Sequence, residues 1–187
     1  MDTAFKLLFF GFLLVFIEID LFVDLLPDFI GYILIYKGIQ LLPVSSQSRR
    51  LSSGLAIVLS VLSIPFFFIS NATVEGSQWW GYYQVILQLL KVIIVYCFFR
   101  LIQKSMQMIN RDDLLLSTNK MFKWYMSIIL GAMFIQSFVM NISMYWQYII
   151  QSVCVWSAFF IEIAFLFYLR KMRKTCPESV ESVVGNK

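Results

Sequence analysis

The sequence predicts an all-α membrane protein, a polytopic bundle of six transmembrane helices with both termini in the cytoplasm. Hydrophobic residues make up 60% of the 187-residue chain and charged residues 14%, with a mean hydropathy of +0.78. This composition leaves too little polar surface to coat a soluble globule. The apolar residues also fall into blocks of about 20, the length at which a helix crosses ~30 Å of hydrocarbon.

Polar or charged gaps separate the six predicted spans. The first span contains Lys6 and an apolar run, as a signal peptide does. Acidic residues follow it where a small-residue cleavage site would lie, so we expect a retained helix. The spans cover approximately residues 4–23, 25–43, 51–70, 82–103, 121–140 and 147–169.

No domain boundary is visible along the chain. The longest polar gap, residues 105–120, has the length of a loop or a short interfacial helix, so we expect residues 1–174 to form a single six-span membrane domain. Residues 175–187 are polar, contain Pro177 and lack an apolar period. This pattern predicts a disordered cytoplasmic tail.

The first two spans meet at an acidic cluster. Residues 4–43 are almost continuously apolar, and as one helix they would measure about 60 Å, twice the hydrocarbon thickness. Asp24 suits the cap of the second span, Pro27 is tolerated in a first helical turn, and Asp28 would face the positive end of the helix dipole. We therefore expect a turn at residues 24–28, with a re-entrant loop as the alternative.

The orientation follows from the basic residues. The gaps at 18–28, 71–81 and 141–146 contain no Lys or Arg, so the positive-inside rule puts the other side of the bundle in the cytoplasm. Trp79 and Trp146 mark the outer interface, and the protein is expected in the cell membrane. The cytoplasmic basic residues are Lys6, Arg49, Arg50, Arg100, Lys104, Arg111, Lys120, Lys123, Arg170, Lys171, Arg173 and Lys174.

Residue types that enzymes commonly use are absent or scattered. The sequence has no His, which excludes His-based triads and H-E-x-x-H zinc sites. Cys97, Cys154 and Cys176 are too far apart for C-x-x-C chemistry, and no G-x-S-x-G motif or phosphate-binding Gly-rich loop occurs. We therefore expect a non-enzymatic protein with no cofactor, no metal and no nucleic-acid partner.

Ionisable residues inside the spans are costly in hydrocarbon and are candidates for function. At about 1.5 Å per residue, Lys37 and Glu162 both lie about 9–10 Å from the cytoplasmic edge, which predicts an intramembrane ion pair. The same estimate matches Glu18 with Lys91 in the outer half. A Lys37 side chain that snorkels to the headgroups is the alternative.

One face of the fourth span is polar. Gln84, Gln88 and Lys91 occupy positions i, i+4 and i+7, and the acidic cluster lies near the same outer level. Together they predict an acid-rimmed, outward-facing cavity for a small polar or cationic solute. Alternatively, the glutamines bond neighbouring helices and the aspartates only cap a turn. The candidate solute- or ion-coupling residues are Glu18, Asp20, Asp24, Asp28, Gln84, Gln88 and Lys91.

Small residues predict where helices pack closely, because they let backbones approach where lipid supplies no hydrophobic drive. Gly31 and Gly38 lie close to one face of the second span. Two further seams of small residues are predicted: Ser52, Ala56 and Ser60 on the third span, and Ser127 with Gly131 on the fifth.

Two resemblances bear on function. In size and span count the chain is similar to the substrate-binding subunits of energy-coupling-factor vitamin transporters, which implies solute binding or transport. The D-x-x-P-D-F-I-G element at residues 24–31 resembles one in small uncharacterised bacterial multi-span membrane proteins and implies no activity.

Solute binding or transport is thus favoured over the alternative, a non-transporting accessory protein for immunity, stress or envelope assembly with a membrane-protein partner. In either case the basic run at residues 170–174 is expected to contact anionic lipids at the cytoplasmic face.

Overall fold

The computed structural model describes residues 2–17, 28–68, 78–139 and 141–175. All regular secondary structure in these ranges is α-helical, which confirms the predicted all-α class for the described residues. The helices are α1 (Asp2–Ile17), α2 (Asp28–Gln40), α3 (Ser46–Phe68), α4 (Gln78–Met108), α5 (Asp112–Val139) and α6 (Met144–Thr175).

Three of these helices are long and apolar enough to cross a membrane. They are α4, α5 and α6, with 31, 28 and 32 residues. The described parts of α1 and α2 have 16 and 13 residues, or about 24 and 20 Å, which is short of the ~30 Å of hydrocarbon. The residues that would complete these two predicted spans, 18–27, lie outside the described ranges.

The helices form a closed ring. Each helix packs against its neighbours in the chain, and α6 returns to pack against α1. Few residues separate α2 from α3, α4 from α5 and α5 from α6, and such short connections favour helices that lie side by side. The ring brings the first and last described helices together: Arg173 Nε on α6 donates to Asp2 Oδ1 on α1 at 2.6 Å.

Helices α1 and α2 approach each other closely through glycines. A Cβ atom at Gly31 would lie 2.9 Å from the Gly11 carbonyl oxygen, and one at Gly11 would lie 2.8 Å from the Gly31 carbonyl oxygen. A Cβ at Gly38 would lie 2.6 Å from the Leu8 side chain. The close approach predicted at Gly31 and Gly38 is confirmed, and Gly11 on α1 is the partner that makes it possible.

The two predicted seams of small residues differ in outcome. On α3, Ser52, Ala56 and Ser60 are buried. On α5, Ser127 is exposed and a Cβ at Gly131 would meet nothing within 4 Å, so the prediction for this seam is wrong in the described part of the protein. The reason is that α5 packs through larger side chains nearer the other end of the helix.

Those larger side chains form an aromatic cluster that joins four helices. Phe12 on α1 lies 5.1 Å from both Phe98 on α4 and Phe165 on α6, measured between ring centroids. Phe165 also lies 5.3 Å from Phe99 and 5.4 Å from Tyr125 on α5. Such pairs contribute about 0.5–1.5 kcal/mol each beyond the area they bury. This cluster lies toward one end of the bundle along the helix axes. We call that half of the bundle the packed end.

The opposite half of the ring is much less packed. Residues 134–138 of α5 are all exposed, and five successive residues pass right round a helix of about 3.6 residues per turn. Residues 144–146 of α6 and 84–86 of α4 are exposed as well. We call this half the open end.

Candidate functional site

An ion pair joins α2 and α4 within the apolar part of the ring. Lys91 Nζ lies 3.1 Å from Asp28 Oδ2. The Asp28 side chain is 7% exposed and that of Lys91 29%. The pair lies between the two halves of the ring, since α4 is exposed at residues 84–86 and buried at Ile94 and Val95.

Local structure explains why Asp28 can be buried as a carboxylate. It is the first residue of α2, where backbone N–H groups lack helical partners and the dipole favours negative charge. The Lys91 ammonium supplies the opposite charge from α4. Breaking a fully buried pair by removing one partner costs about 3–5 kcal/mol, so each group depends on the other.

Serine hydroxyls of α3 form further polar contacts near the start of α2. Ser60 Oγ on α3 donates to the Phe29 carbonyl oxygen, one residue after Asp28, at 3.1 Å. Ser63 Oγ donates to the Ser60 carbonyl oxygen at 3.0 Å. Both serines are buried, so a polar layer crosses α2, α3 and α4 at this level.

The Tyr83 hydroxyl on α4 extends this layer by donating to the Leu62 carbonyl oxygen on α3. Leu62 lies in the turn that precedes Pro65. Pro65 has no N–H to donate to the Val61 carbonyl oxygen one turn earlier. Tyr83 bonds the next carbonyl oxygen along α3, that of Leu62, and so holds the start of α4 against α3 beside this interruption.

The predicted polar face of α4 is divided between the two halves of the ring. Lys91 contacts Asp28, whereas Gln84 and Gln88 are exposed toward the open end. Because the three residues share one helical face, the two amides form a polar strip that leads to the ion pair. Glu18, Asp20 and Asp24, the other members of the predicted site, lie outside the described residues, as does the predicted match of Glu18 with Lys91.

Lys37 and Glu162 are not brought together. Lys37 is exposed in the last turn of α2, on the same outward side as the exposed Ile33, whereas Glu162 on α6 is 7% exposed and buried. No ion pair joins them in the described part of the chain. The predicted match rested on depth alone, and α6 packs against α1 and α5. At the end of α2, the Lys37 ammonium is favoured by the helix dipole.

Glu162 lies instead beside a polar contact within the packed end. Its carboxylate interacts electrostatically with the buried Tyr125 of α5. Six residues further along α6, the Tyr168 hydroxyl lies 2.7 Å from Thr118 Oγ1, which in turn donates to the Leu114 carbonyl oxygen at 2.7 Å. Thr118 and Tyr168 carry no pattern that singles them out in the sequence, because a lone hydroxyl in an apolar block has no periodic signal.

Two ion pairs at the ends of the helices have perturbed titration. The hydrogen bond from Arg173 lowers the pKa of Asp2, and that from Arg111 lowers the pKa of Asp113 to about 2. Both carboxylates are therefore held ionised to more acidic pH than usual. Asp2 links α1 to α6, whereas Asp113 contacts only its own loop.

Within the ranges that the structure describes, no group of three or more Cys, Asp or Glu residues could hold a metal ion. The site is thus an ion pair in a polar layer, approached by an amide strip. Comparisons of the chain with protein-family models, with curated proteins and with solved structures found no match.

Proposed function

We propose that this protein is a six-span cell-membrane protein that binds or transports a small polar or cationic solute at the Asp28–Lys91 pair. The observation that carries the proposal is the pair itself. A carboxylate on α2 and an ammonium on α4 are held 3.1 Å apart, and the ammonium is still 29% exposed. Ionisable groups at such a depth are costly and commonly mark solute or ion pathways.

The charge distribution around the ring supports the six-span topology with both termini inside. Arg173 contacts Asp2 at the packed end, and Lys104 Nζ donates to Ser48 Oγ at 2.7 Å, so the end of α4 lies beside the start of α3. Basic residues thus gather at this end of the ring, whereas residues 78–90 and 141–151 at the open end contain no Lys or Arg. The positive-inside rule assigns the packed end to the cytoplasm.

The chemistry of the pair indicates the class of solute. A cation that approaches along the Gln84 and Gln88 strip can take the place of Lys91 beside the Asp28 carboxylate, because the half-buried lysine side chain is long enough to withdraw. The amide groups supply hydrogen bonds to a polar solute along the way. The similarity in size and span count to vitamin-binding transport subunits agrees with this function.

A ligand screen tests the proposal. Purified protein in detergent is melted with a panel of amines, amino acids, vitamins and metal ions; a solute at 100 times its Kd should stabilise wild type by about 2.7 kcal/mol. Asp28→Asn should abolish this stabilisation. Lys37→Met is the matched control, because it removes an exposed lysine from the same membrane domain and should retain the stabilisation. If no member of the panel stabilises wild type, the solute-binding proposal fails.

A labelling experiment tests the topology separately. A cysteine at positions 71–81 or 141–146 of a cysteine-free variant should react with an impermeant thiol reagent in intact cells, and one at positions 105–120 should not. Labelling of the 105–120 loop from outside would contradict the proposed orientation.

The second candidate is a non-transporting accessory protein, and one observation favours it. Gln136 on α5 and Gln151 on α6 are exposed within the predicted spans, as are Gln84 and Gln88 on α4. Amides that face hydrocarbon are unfavourable, and a partner helix would supply hydrogen bonds to them. Co-purification of one membrane protein, lost on Gln136→Leu with Gln151→Leu and accompanied by no ligand response, would support this function.

A further inference from the structure

A cavity of about 530 Å³ opens between α4 and α5, close to the loop that joins them. Three of its lining residues are cations, Arg100, Lys120 and Lys123, and none is acidic. All three cations are exposed, and none forms an ion pair with another residue of the described ranges. The cavity therefore concentrates positive charge that no carboxylate of the described residues pairs with.

Hydrogen bonds prepare the site before any ligand arrives. Gln103 on α4, buried, donates from Nε2 to Asn119 Oδ1 on α5 at 2.8 Å, which fixes the spacing of the two helices. Arg100 Nη1 donates to Gln103 Oε1 at 3.4 Å and so orients the guanidinium. The rest of the guanidinium fork remains available to a phosphate, the anion that its planar geometry matches best.

Part of the lining of the cavity is apolar. Leu115, Leu116 and Phe122 of α5 form this apolar wall. Trp124, which follows Lys123 on α5, is 67% exposed, as expected of an aromatic residue at the membrane–water boundary. The cavity thus combines three cations with an apolar wall close to the membrane–water boundary. These features suit a ligand with an anionic headgroup and a hydrocarbon body.

We propose that this cavity binds the phosphate headgroup of an anionic phospholipid. Lys120 and Lys123 from α5 and Arg100 from α4 hold the phosphate, and the apolar wall contacts the start of the acyl chains. Bound there, the lipid would bridge α4 and α5 on the side of the ring away from the Asp28–Lys91 pair. This proposal does not depend on solute binding, and it goes beyond the diffuse attraction of the basic ends for anionic lipid.

Native mass spectrometry of the full-length protein in a neutral detergent tests this site. Titration with phosphatidylglycerol should give a complex with one bound lipid, and phosphatidylcholine should not. The triple variant Arg100→Gln, Lys120→Gln, Lys123→Gln should bind ~5-fold more weakly for each charge removed, on the order of 100-fold in all. The matched control removes three exposed cations outside both the cavity and the 170–174 run, with Lys6→Gln, Lys37→Gln and Arg50→Gln, and should stay within about twofold of wild type.

Each other outcome counts against the proposal. An equal loss in the control variant would mean that lipid responds only to overall charge, and an unchanged triple variant would mean that it binds elsewhere. Displacement of the lipid by millimolar inorganic phosphate would identify a soluble anion as the ligand instead. If the triple variant does not fold, the double variant Lys120→Gln, Lys123→Gln leaves the Arg100–Gln103 hydrogen bond intact and should weaken binding on the order of 25-fold.

Discussion

The two halves of the helix ring are built differently. At the packed end, Phe12, Phe98 and Phe165 are almost completely buried against one another, whereas at the open end residues 134–138 of α5 are exposed on every side. The Asp28–Lys91 pair lies between the two halves. Packing therefore holds the described helices together at one end, whereas side chains at the other end, Gln84 and Gln88 among them, are exposed.

The largest predicted effect tests where the stability resides. Phe165→Ala should destabilise the bundle by about 3–5 kcal/mol, because Phe165 is fully buried among aromatic rings from three other helices. Phe134→Ala at the open end should change stability by less than about 0.5 kcal/mol, since Phe134 is 67% exposed. Unfolding in mixed micelles measures both. Equal losses would mean that the two halves contribute alike.

The next largest effect concerns the Asp28–Lys91 pair, which lies at the boundary between the two halves. Lys91→Met removes the ammonium beside the buried Asp28 carboxylate and should cost roughly 2–3 kcal/mol, less than for a fully buried pair because Lys91 is 29% exposed. Adding Asp28→Asn should recover part of this loss, and the double-mutant cycle gives the coupling energy. Lys37→Met, with an exposed side chain, should be nearly neutral. Additive losses in the cycle would show that Asp28 and Lys91 do not interact.

A third prediction compares a glycine at a close helix contact with a glycine that has no neighbouring atoms. Gly31→Ala should destabilise by about 1–3 kcal/mol, because its Cβ would lie 2.9 Å from the Gly11 carbonyl oxygen of α1. Gly131→Ala should instead stabilise by up to about 1 kcal/mol, since its Cβ meets no atom within 4 Å and alanine favours the helix. Opposite signs in thermal unfolding are the expected result, and a destabilising Gly131→Ala would indicate a close neighbour for α5.

The smallest effect concerns the ion pairs at the helix ends. Because Arg173 lowers the pKa of Asp2 in the folded protein, this pair contributes stability above the unfolded pKa of 3.8, and the contribution is lost as pH falls through the lower folded value. For Asp113 the loss should fall between pH 3.8 and about 2. Melting curves from pH 6 to pH 2 measure this dependence. Asp2→Asn should reduce the dependence of the melting temperature on pH. An unchanged dependence would show that the Asp2–Arg173 pair between α1 and α6 does not contribute to stability.

Several features could be predicted from residue types and spacing. The all-α class follows from apolar blocks of helical length, because a backbone in hydrocarbon must satisfy its own hydrogen bonds. The tight approach at Gly31 and Gly38 follows from missing side chains, and Asp28 suits a first turn wherever α2 packs. These are properties of one segment at a time, and sequence carries them directly.

Which side chains meet across the ring could be learned only from the tertiary structure. Depth along a helix fixes one coordinate, but contact also requires the order of helices around the ring and the rotation of each about its axis. Equal depth in the membrane predicted that Lys37 pairs with Glu162. In the structure Lys37 is exposed on the outside of α2, and α6, which carries Glu162, packs against α1 and α5. Lys91 meets Asp28 because α2 and α4 both flank α3, and the basic cavity exists only because α4 and α5 lie side by side. The sequence by itself thus determined which groups must avoid lipid, and only the packing of the helices decided which group each one meets.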